Sequence, residues 1–530
     1  MPPHPFDPSL PYPSRRQPML ADNALATSQP LATSAGLRML AAGGNAVDAA
    51  LAAAIALTVV EPTSNGIGGD LFAIVWDGLT LHGLNASGRS PAAWTRDRFD
   101  AFPAMPARGW MTVTVPGAVS GWVHLSRRFG RLPFRTLFEP AITYAREGFP
   151  VSPITAEAWR RSYDRLKEYP DWLAAFAPEG RTPTAGERFA SPAHAATLEE
   201  IALTAGESFY RGPLARRIAA HAASTGGLLT ADDLATHRGD DVGTISLNYH
   251  GHRLHEIPPN GQGIAALVAL GLLQHSDVRK LSPDSADCLH LQIEAMKLAF
   301  ADAHRYVADP KWMDVDPLDL LEPDYLARRA ALIDPARAGD PQHGAPKPGG
   351  TVYLTAADAD GRMVSLIQSN YAGFGSGIVV PDTGIALQNR GNGFTLQRGH
   401  PNEVGPDKRP FHTIIPGFVT RDGRPWMSFG VMGGEMQPQG HVQMMVRCVD
   451  FDQNPQAASD APRWKVLEGR RVLLEQGWPP GVVDDLKRRG HDVRVADFTE
   501  FGGAQLIQKL PTGTYLAASD HRKDGHAAGY

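Results

Sequence analysis

The run from Ala46 to Val60 (AVDAALAAAIALTVV) is apolar on nearly every side, which predicts a buried, closely packed helix capped by Asn45 and ended by Glu61-Pro62. A helix opened by Pro30 and stopped by Gly43-Gly44 precedes it. Past the loop Thr63–Asp70, the stretches LFAIVW and LHGLNAS flank Asp77-Gly78 and read as a hairpin. From about Val119 to Leu332 the pattern is mainly helical, and LHLQIEAMKLAFADAHRYV (289–307) is its clearest amphipathic stretch. The turn Pro258–Gly263 interrupts it, after the short strand HRLHEI. After residue 350 strands predominate: TVYLTAAD and RMVSLIQSNY around Asp360-Gly361, then GIALQN, HTIIPGFV and PWMSFGV. Strand-rich pieces on either side of a helical middle predict an α/β or α+β sandwich, with helices layered on paired sheets.

Composition narrows the partners. The 530 residues are 43% hydrophobic and 20% charged, with a net charge of −5, so no basic tract offers itself to nucleic acid or a membrane surface. Cys288 and Cys448 form neither a CxxC pair nor a disulfide framework. The proline-rich opening (1–20) predicts an extended arm without the order of a secretory signal, and a cytoplasmic protein is expected. The loop Ser64–Asp70 lacks the lysine of a phosphate cradle, and His250, His252 and His255 have no placed carboxylate. No metal and no cofactor are expected.

The chemistry gathers at residue 351. Residues 334–350 hold four prolines and four glycines without apolar periodicity and predict a linker loop; Thr351 then opens a strand. If the Gly350–Thr351 bond is cut, Thr351 carries a hydroxyl beside a free amine with a reference pKa of about 7.7–8.0, and one residue supplies nucleophile and base. Gly350 tolerates the backbone that an N→O acyl shift requires. By itself a Gly-Gly-Thr junction reads as an ordinary strand start.

Several segments together resemble the γ-glutamyltranspeptidase family of N-terminal nucleophile (Ntn) hydrolases: residues 42–70, TVPGAVSGW (114–122), 294–310, GTVYLTAADADG (350–361), FGSGIV (374–379), VGPDKRP (404–410), MGG (432–434) and SDHRKDGHAAGY (519–530). They run in family order from about residue 20 to the C-terminus. The resemblance implies a four-layer αββα sandwich and a precursor that cuts itself into a large region (21–350) and a small one (351–530), which intertwine. It also implies amide hydrolysis through an acyl-enzyme on Thr351. Gly433 and Gly434 are then the oxyanion hole, and Ser369 the hydroxyl that orients the nucleophile.

The substrate-reading positions depart from the family pattern. γ-Glutamyl enzymes hold the substrate's ammonium with an aspartate where this chain has Gly393, inside Gln388-Asn389-Arg390-Gly391-Asn392-Gly393-Phe394. Losing a charge-assisted hydrogen bond of roughly 1.5–3 kcal/mol disfavours an ammonium substrate, and Arg390 repels it further. Paired serines are replaced by His412 and Thr413, and Arg89 stands two positions from the family's carboxylate-binding arginine. Arg89, Arg390, His412, Thr413 and Asn389 are therefore the candidate substrate contacts; no role is read for Tyr371 or Glu435. The local pattern looks most like the oxamate amidohydrolase branch, which points to a small amide bearing a carboxylate, oxamate giving oxalate and ammonia. A γ-glutamyltranspeptidase or glutathione hydrolase is the alternative within the family, and a non-catalytic binding protein on the same fold the alternative outside it. Expected partners are the amide, the two self-cleaved chains for each other and, as an open option, a second such pair.

Overall fold

The computed structural model describes residues 16–341 and 350–530. Two seven-stranded antiparallel sheets are stacked face to face. In spatial order the first holds His526–Gly529, Ala24–Thr27, Gly350–Ala357, Met363–Tyr371, Asp70–Trp76, Leu81–Asn85 and Asp240–Asp241. The second holds Met19–Ala21, Tyr515–Ser519, Gly503–Lys509, Arg424–Met432, Gly417–Arg421, His252–Glu256 and Ile245–Tyr249. Both sides of Gly350 contribute strands to each sheet, so a cut at that bond leaves two interleaved pieces.

Side-chain alternation along the strands builds the layers. Phe72, Ile74, Tyr353, Met363 and Ile367 of the first sheet meet Phe418, Met432, Ile507 and Tyr515 between the sheets. Their neighbours Leu71, Ala73, Val75, Val352, Leu354, Val364 and Leu366 point outward, onto a core that includes the helix Ala46–Val60. The second sheet turns Val419, Met427, Phe429 and Val431 toward the helices Gly263–Leu273, Ala286–Tyr306 and Met436–Met445. The result is helix, sheet, sheet, helix, the α+β sandwich expected.

The helix Ala46–Val60 is buried throughout. Its start is closed by a reciprocal cap, Asn45 Oδ1 accepting from Val47 and Asp48 N–H while Asp48 Oδ2 accepts from Asn45 N–H at 2.9 Å. Asp48 also accepts from the N–H groups of Arg131 and Leu132, which accounts for a carboxylate in an apolar layer.

Two boundaries differ from expectation. The extended arm does not run to residue 20, because Met19–Ala21 pairs with Tyr515–Ser519 as an edge strand; residues 1–15 lie outside the described residues. Three residues are too few to show alternation, and only the distant partner strand defines them. The linker 334–350 is not wholly a loose loop either. Ala338 N–H donates to the Arg489 carbonyl at 2.8 Å, and Gly339 is gripped on both sides, its N–H by Glu294 at 2.9 Å and its carbonyl by Lys297 at 3.1 Å. Polar contacts hold this stretch, and hydrophobic periodicity does not reveal them. Residues 342–349 lie outside the described residues.

Candidate active site

Thr351 sits one residue inside the strand Gly350–Ala357, at a break in its pairing with Met363–Tyr371. Gly350 is opposite Tyr371 and Val352 opposite Gln368, so Ser369 and Asn370 together face Thr351. That extra residue is a β-bulge, a device that re-aims side chains. Here the Thr351 hydroxyl donates to Ser369 Oγ at 3.2 Å, and Ser369 Oγ also accepts from the Tyr371 N–H at 2.8 Å. Gln437 Nε2 approaches Thr351 Oγ1 from the other side at 3.4 Å, its Oε1 fixed by the Ile415 N–H at 2.9 Å. Thr351 is only 1% exposed.

Gly433 and Gly434 follow the strand Arg424–Met432 and lead into the helix Met436–Met445. Their φ angles of +125° and +62° are ones that side-chain-bearing residues rarely adopt, which explains the glycine pair. Among the described residues neither N–H finds an acceptor. Two unengaged donors at the positive end of a helix are suited to a developing oxyanion. Gln262 ties this turn to the substrate side, its Nε2 donating to the carbonyls of Gly434 at 3.0 Å and Thr413 at 2.7 Å.

Arg390 is 1% exposed, in a one-turn helix Arg390–Gly393. Nη1 donates to Thr413 Oγ1 at 2.7 Å, and the guanidinium lies 4.7 Å over the Tyr371 ring. Nε and Nη2 find no acceptor among the described residues. Burial lowers its pKa to about 10, with the nearby Asp70 charge acting in the opposite direction. A guanidinium withdrawn from water with two nitrogens unengaged among the described residues has the charge and geometry to receive a carboxylate.

His412 and Asp70 form a fully buried pair beside it, Nε2 to Oδ2 at 3.1 Å. The His412 Nδ1 accepts from the Ile414 N–H at 3.3 Å, so the ring proton is on Nε2 and is given to Asp70. Asp70 Oδ1 accepts from the N–H groups of Gly117 at 2.9 Å and Gly88 at 3.3 Å. Burial pushes Asp70 up to about 7, against the pull of Arg390. Burial, reinforced by Arg390 and Arg409, holds His412 well below its ordinary value, so the imidazole stays neutral.

The structure thus gathers Thr351, Ser369, Gly433, Gly434, Arg390, His412 and Thr413. Asn389 stands next to them but its amide braces the loop, Nδ2 donating to the Ala107 carbonyl at 2.8 Å and Oδ1 accepting from the Ala372 N–H at 3.0 Å. Arg89 is not drawn into the group. Its guanidinium is committed to Asp309 at 2.7 Å and to the Asp407 carbonyl at 3.2 Å, and it lines another cleft with Thr230, Asp233 and Arg409. Asp70, Gln262 and Gln437 were missed. Asp70 and Gln262 lie in segments that sequence reading noticed and Gln437 three residues beyond Gly434, yet only the packing shows which side chains turn inward.

A sequence model of the family described as Gamma-glutamyltranspeptidase matches residues 32–530. The chain belongs to the γ-glutamyltranspeptidase family. Among its relatives, the glutathione hydrolase-like YwrD proenzyme of Bacillus subtilis is 37% identical over 516 residues, covering 94% of this chain and 97% of the relative. The oxamate amidohydrolase proenzyme of Klebsiella pneumoniae is 38% identical over 518 residues, covering 94% and 97%. The crystal structure of cephalosporin acylase from Bacillus halodurans superimposes with a TM-score of 0.95 at 49% identity, covering 99% of each chain. A member of the γ-glutamyltranspeptidase family on this fold is an Ntn-type amidohydrolase, an enzyme of C–N bond hydrolysis.

Among the described residues, one His/Glu group in this family member comes close enough to hold a metal: His290, Glu294 and His491. Its hydrogen bonds already close on themselves. His290 Nε2 faces the Asp334 carbonyl at 2.8 Å and must carry the proton, so His290 Nδ1 accepts from His491 Nε2 at 2.9 Å. His491 Nδ1 then accepts from Lys297 Nζ at 3.4 Å, and Lys297 also donates to Glu294 at 2.8 Å. A cation there would have to displace an ammonium, and we assign the group to holding residues 334–339 instead. No helix among the described residues is long and apolar enough to cross a membrane.

Proposed function

We propose that this enzyme cuts itself between Gly350 and Thr351 and hydrolyses a small amide that bears a carboxylate, oxamate being the substrate that fits best. The observation that carries the reading is Arg390, a buried guanidinium two of whose nitrogens find no acceptor among the described residues, in the group that holds Thr351. A second observation excludes a simple route back to an ammonium-binding aspartate. A side chain begun at Gly393 would place its Cβ 2.4 Å from the Phe411 carbonyl oxygen, so the glycine is demanded by the backbone packing.

In this reading the released Thr351 amine takes the hydroxyl proton, and Thr351 Oγ attacks the amide carbon while the substrate carboxylate pairs with Arg390. The Gly433 and Gly434 N–H groups receive the oxyanion, and Ser369 and Gln437 keep the hydroxyl aimed. The tetrahedral intermediate collapses as the amine hands its proton to the departing nitrogen, and ammonia leaves. Water, deprotonated by the same amine, then releases the acid from Thr351. The Klebsiella relative's name supports the substrate. Two unpaired buried cysteines suit a cytoplasmic setting.

One observation favours γ-glutamyl hydrolysis as a second reading: Glu435 puts a carboxylate in the wall of the cavity beside Tyr371, where an ammonium group would find it. Ammonia release from oxamate, measured beside chromophore release from a γ-glutamyl anilide with Thr351→Ala as the blank, decides between them. Release from the anilide alone overturns the oxamate reading.

A further inference from the structure

Beside the catalytic group lies a cavity of about 640 Å³ walled in part by Tyr371, Gly393, Phe394, Phe411, His304 and Glu435. Thr351, Ser369, Arg390 and Thr413 are not in that wall, and none is more than 3% exposed. Tyr371 stands between the two: it lines the cavity, and its ring lies 4.7 Å from the Arg390 guanidinium carbon. The ring is therefore a partition between the carboxylate receptor and the open volume.

The backbone holds it there. Tyr371 adopts a φ of +75°, a value rare for an aromatic residue. Its N–H is donated to Ser369 Oγ at 2.8 Å, so the peptide that aims the nucleophile's partner also aims the ring. Across the ladder it faces Gly350, the residue before the bond to be cut.

An acyl group must present its carbonyl to Thr351 and its carboxylate to Arg390, both on the inner side of this ring. Additional methylenes between those two groups need space that closely packed neighbours do not give; the nearest open volume is across Tyr371. We propose that Tyr371 is a specificity-determining residue that limits acyl length, admitting monoamides of the shortest dicarboxylic acids and excluding longer ones. This rests on the reading of Arg390 as the carboxylate receptor. Removing the ring joins the receptor to the cavity and admits the longer acids.

Calorimetric titration with oxalate and with glutarate, two dicarboxylates that undergo no reaction, separates the claims. The group is assembled in the continuous chain, so the titration can be read on cut or uncut protein. The wild type is expected to bind oxalate at least tenfold more tightly than glutarate. Tyr371→Ala is expected to close that gap by at least tenfold through tighter glutarate binding, and Tyr371→Phe, which keeps the ring, to retain the wild-type preference. Tyr371→Leu gives the same comparison with more of the ring's volume retained should the alanine variant fold poorly. An unchanged ratio in the alanine and leucine variants, with oxalate still lost in Arg390→Met, overturns the role of Tyr371 and leaves the receptor standing. Failure of the wild type to bind either anion overturns both.

Discussion

Replacing Arg390 by methionine should separate function from stability in an unusual direction. The substitution keeps an unbranched side chain of similar reach and deletes the charge. On the binding side, a carboxylate loses at least one charge-assisted hydrogen bond worth about 1.5–3 kcal/mol, and with each 1.4 kcal/mol a factor of ten, KM for oxamate should rise by at least about 10- to 100-fold. On the folding side, the variant loses the bond from Nη1 to Thr413 and the contact with Tyr371. Those are worth about 1 kcal/mol and at most about 2 kcal/mol. Against them stands relief of a guanidinium that is 1% exposed with two nitrogens unengaged, and burying such a charge costs several kcal/mol. Below about pH 7, where Asp70 is neutral and loses no cationic partner, the two sides cancel or leave the variant the more stable. Initial rates over a range of oxamate concentrations give KM, and differential scanning fluorimetry without ligand gives the melting temperature. A KM within about threefold of wild type, or a melting temperature far below it, would refute the receptor and make Arg390 a structural residue.

Four further outcomes are expected. Thr351→Ala should stay a single 57.1 kDa chain on denaturing gels, whereas wild type divides at residue 350 of 530 into pieces of about 38 and about 19 kDa; a cut at the same bond in the variant would show that Thr351 is not the agent. Ser369→Ala removes the acceptor of both the Thr351 hydroxyl and the Tyr371 N–H, and kcat should fall by about tenfold with KM little changed; an unchanged kcat would deny Ser369 its aiming role. Gly393→Asp must displace the Phe411 carbonyl, and should lose about 1–3 kcal/mol in urea unfolding without gaining γ-glutamyl anilide activity. Asp70 is raised to about 7 by burial. It is ionised above that pH and offsets Arg390, and below it is neutral and leaves the cation uncompensated. Oxalate should therefore bind more tightly as pH falls through 7, a dependence that Asp70→Asn should flatten. The stability sign agrees: a carboxyl raised in the fold contributes stability below its unfolded value, and that contribution is lost as pH rises through about 7.

The sequence by itself determined the periodic elements and the strand start at Thr351. The caps at Asn45, the hairpins at Asp77-Gly78 and Asp360-Gly361, and the abrupt start of a strand at Thr351 are local events, governed by neighbours within a few residues. They were legible for that reason. The positive φ at Gly433 and Gly434 came to light only in the structure. What tertiary structure alone decided is the direction and partnership of polar side chains. Arg89 and Arg390 look alike as residues beside glycine, yet Asp309, 220 positions away, neutralises the first, while the second is enclosed with a hydroxyl and an aromatic ring. Asp70 and His412 are 342 positions apart, and nothing in either segment announces the bond between them. Met19–Ala21 becomes a strand only because Tyr515–Ser519 offers it an edge. Hydrophobic order repeats along the chain and can be read from it; a buried charge takes its meaning from whichever distant group the fold sets against it.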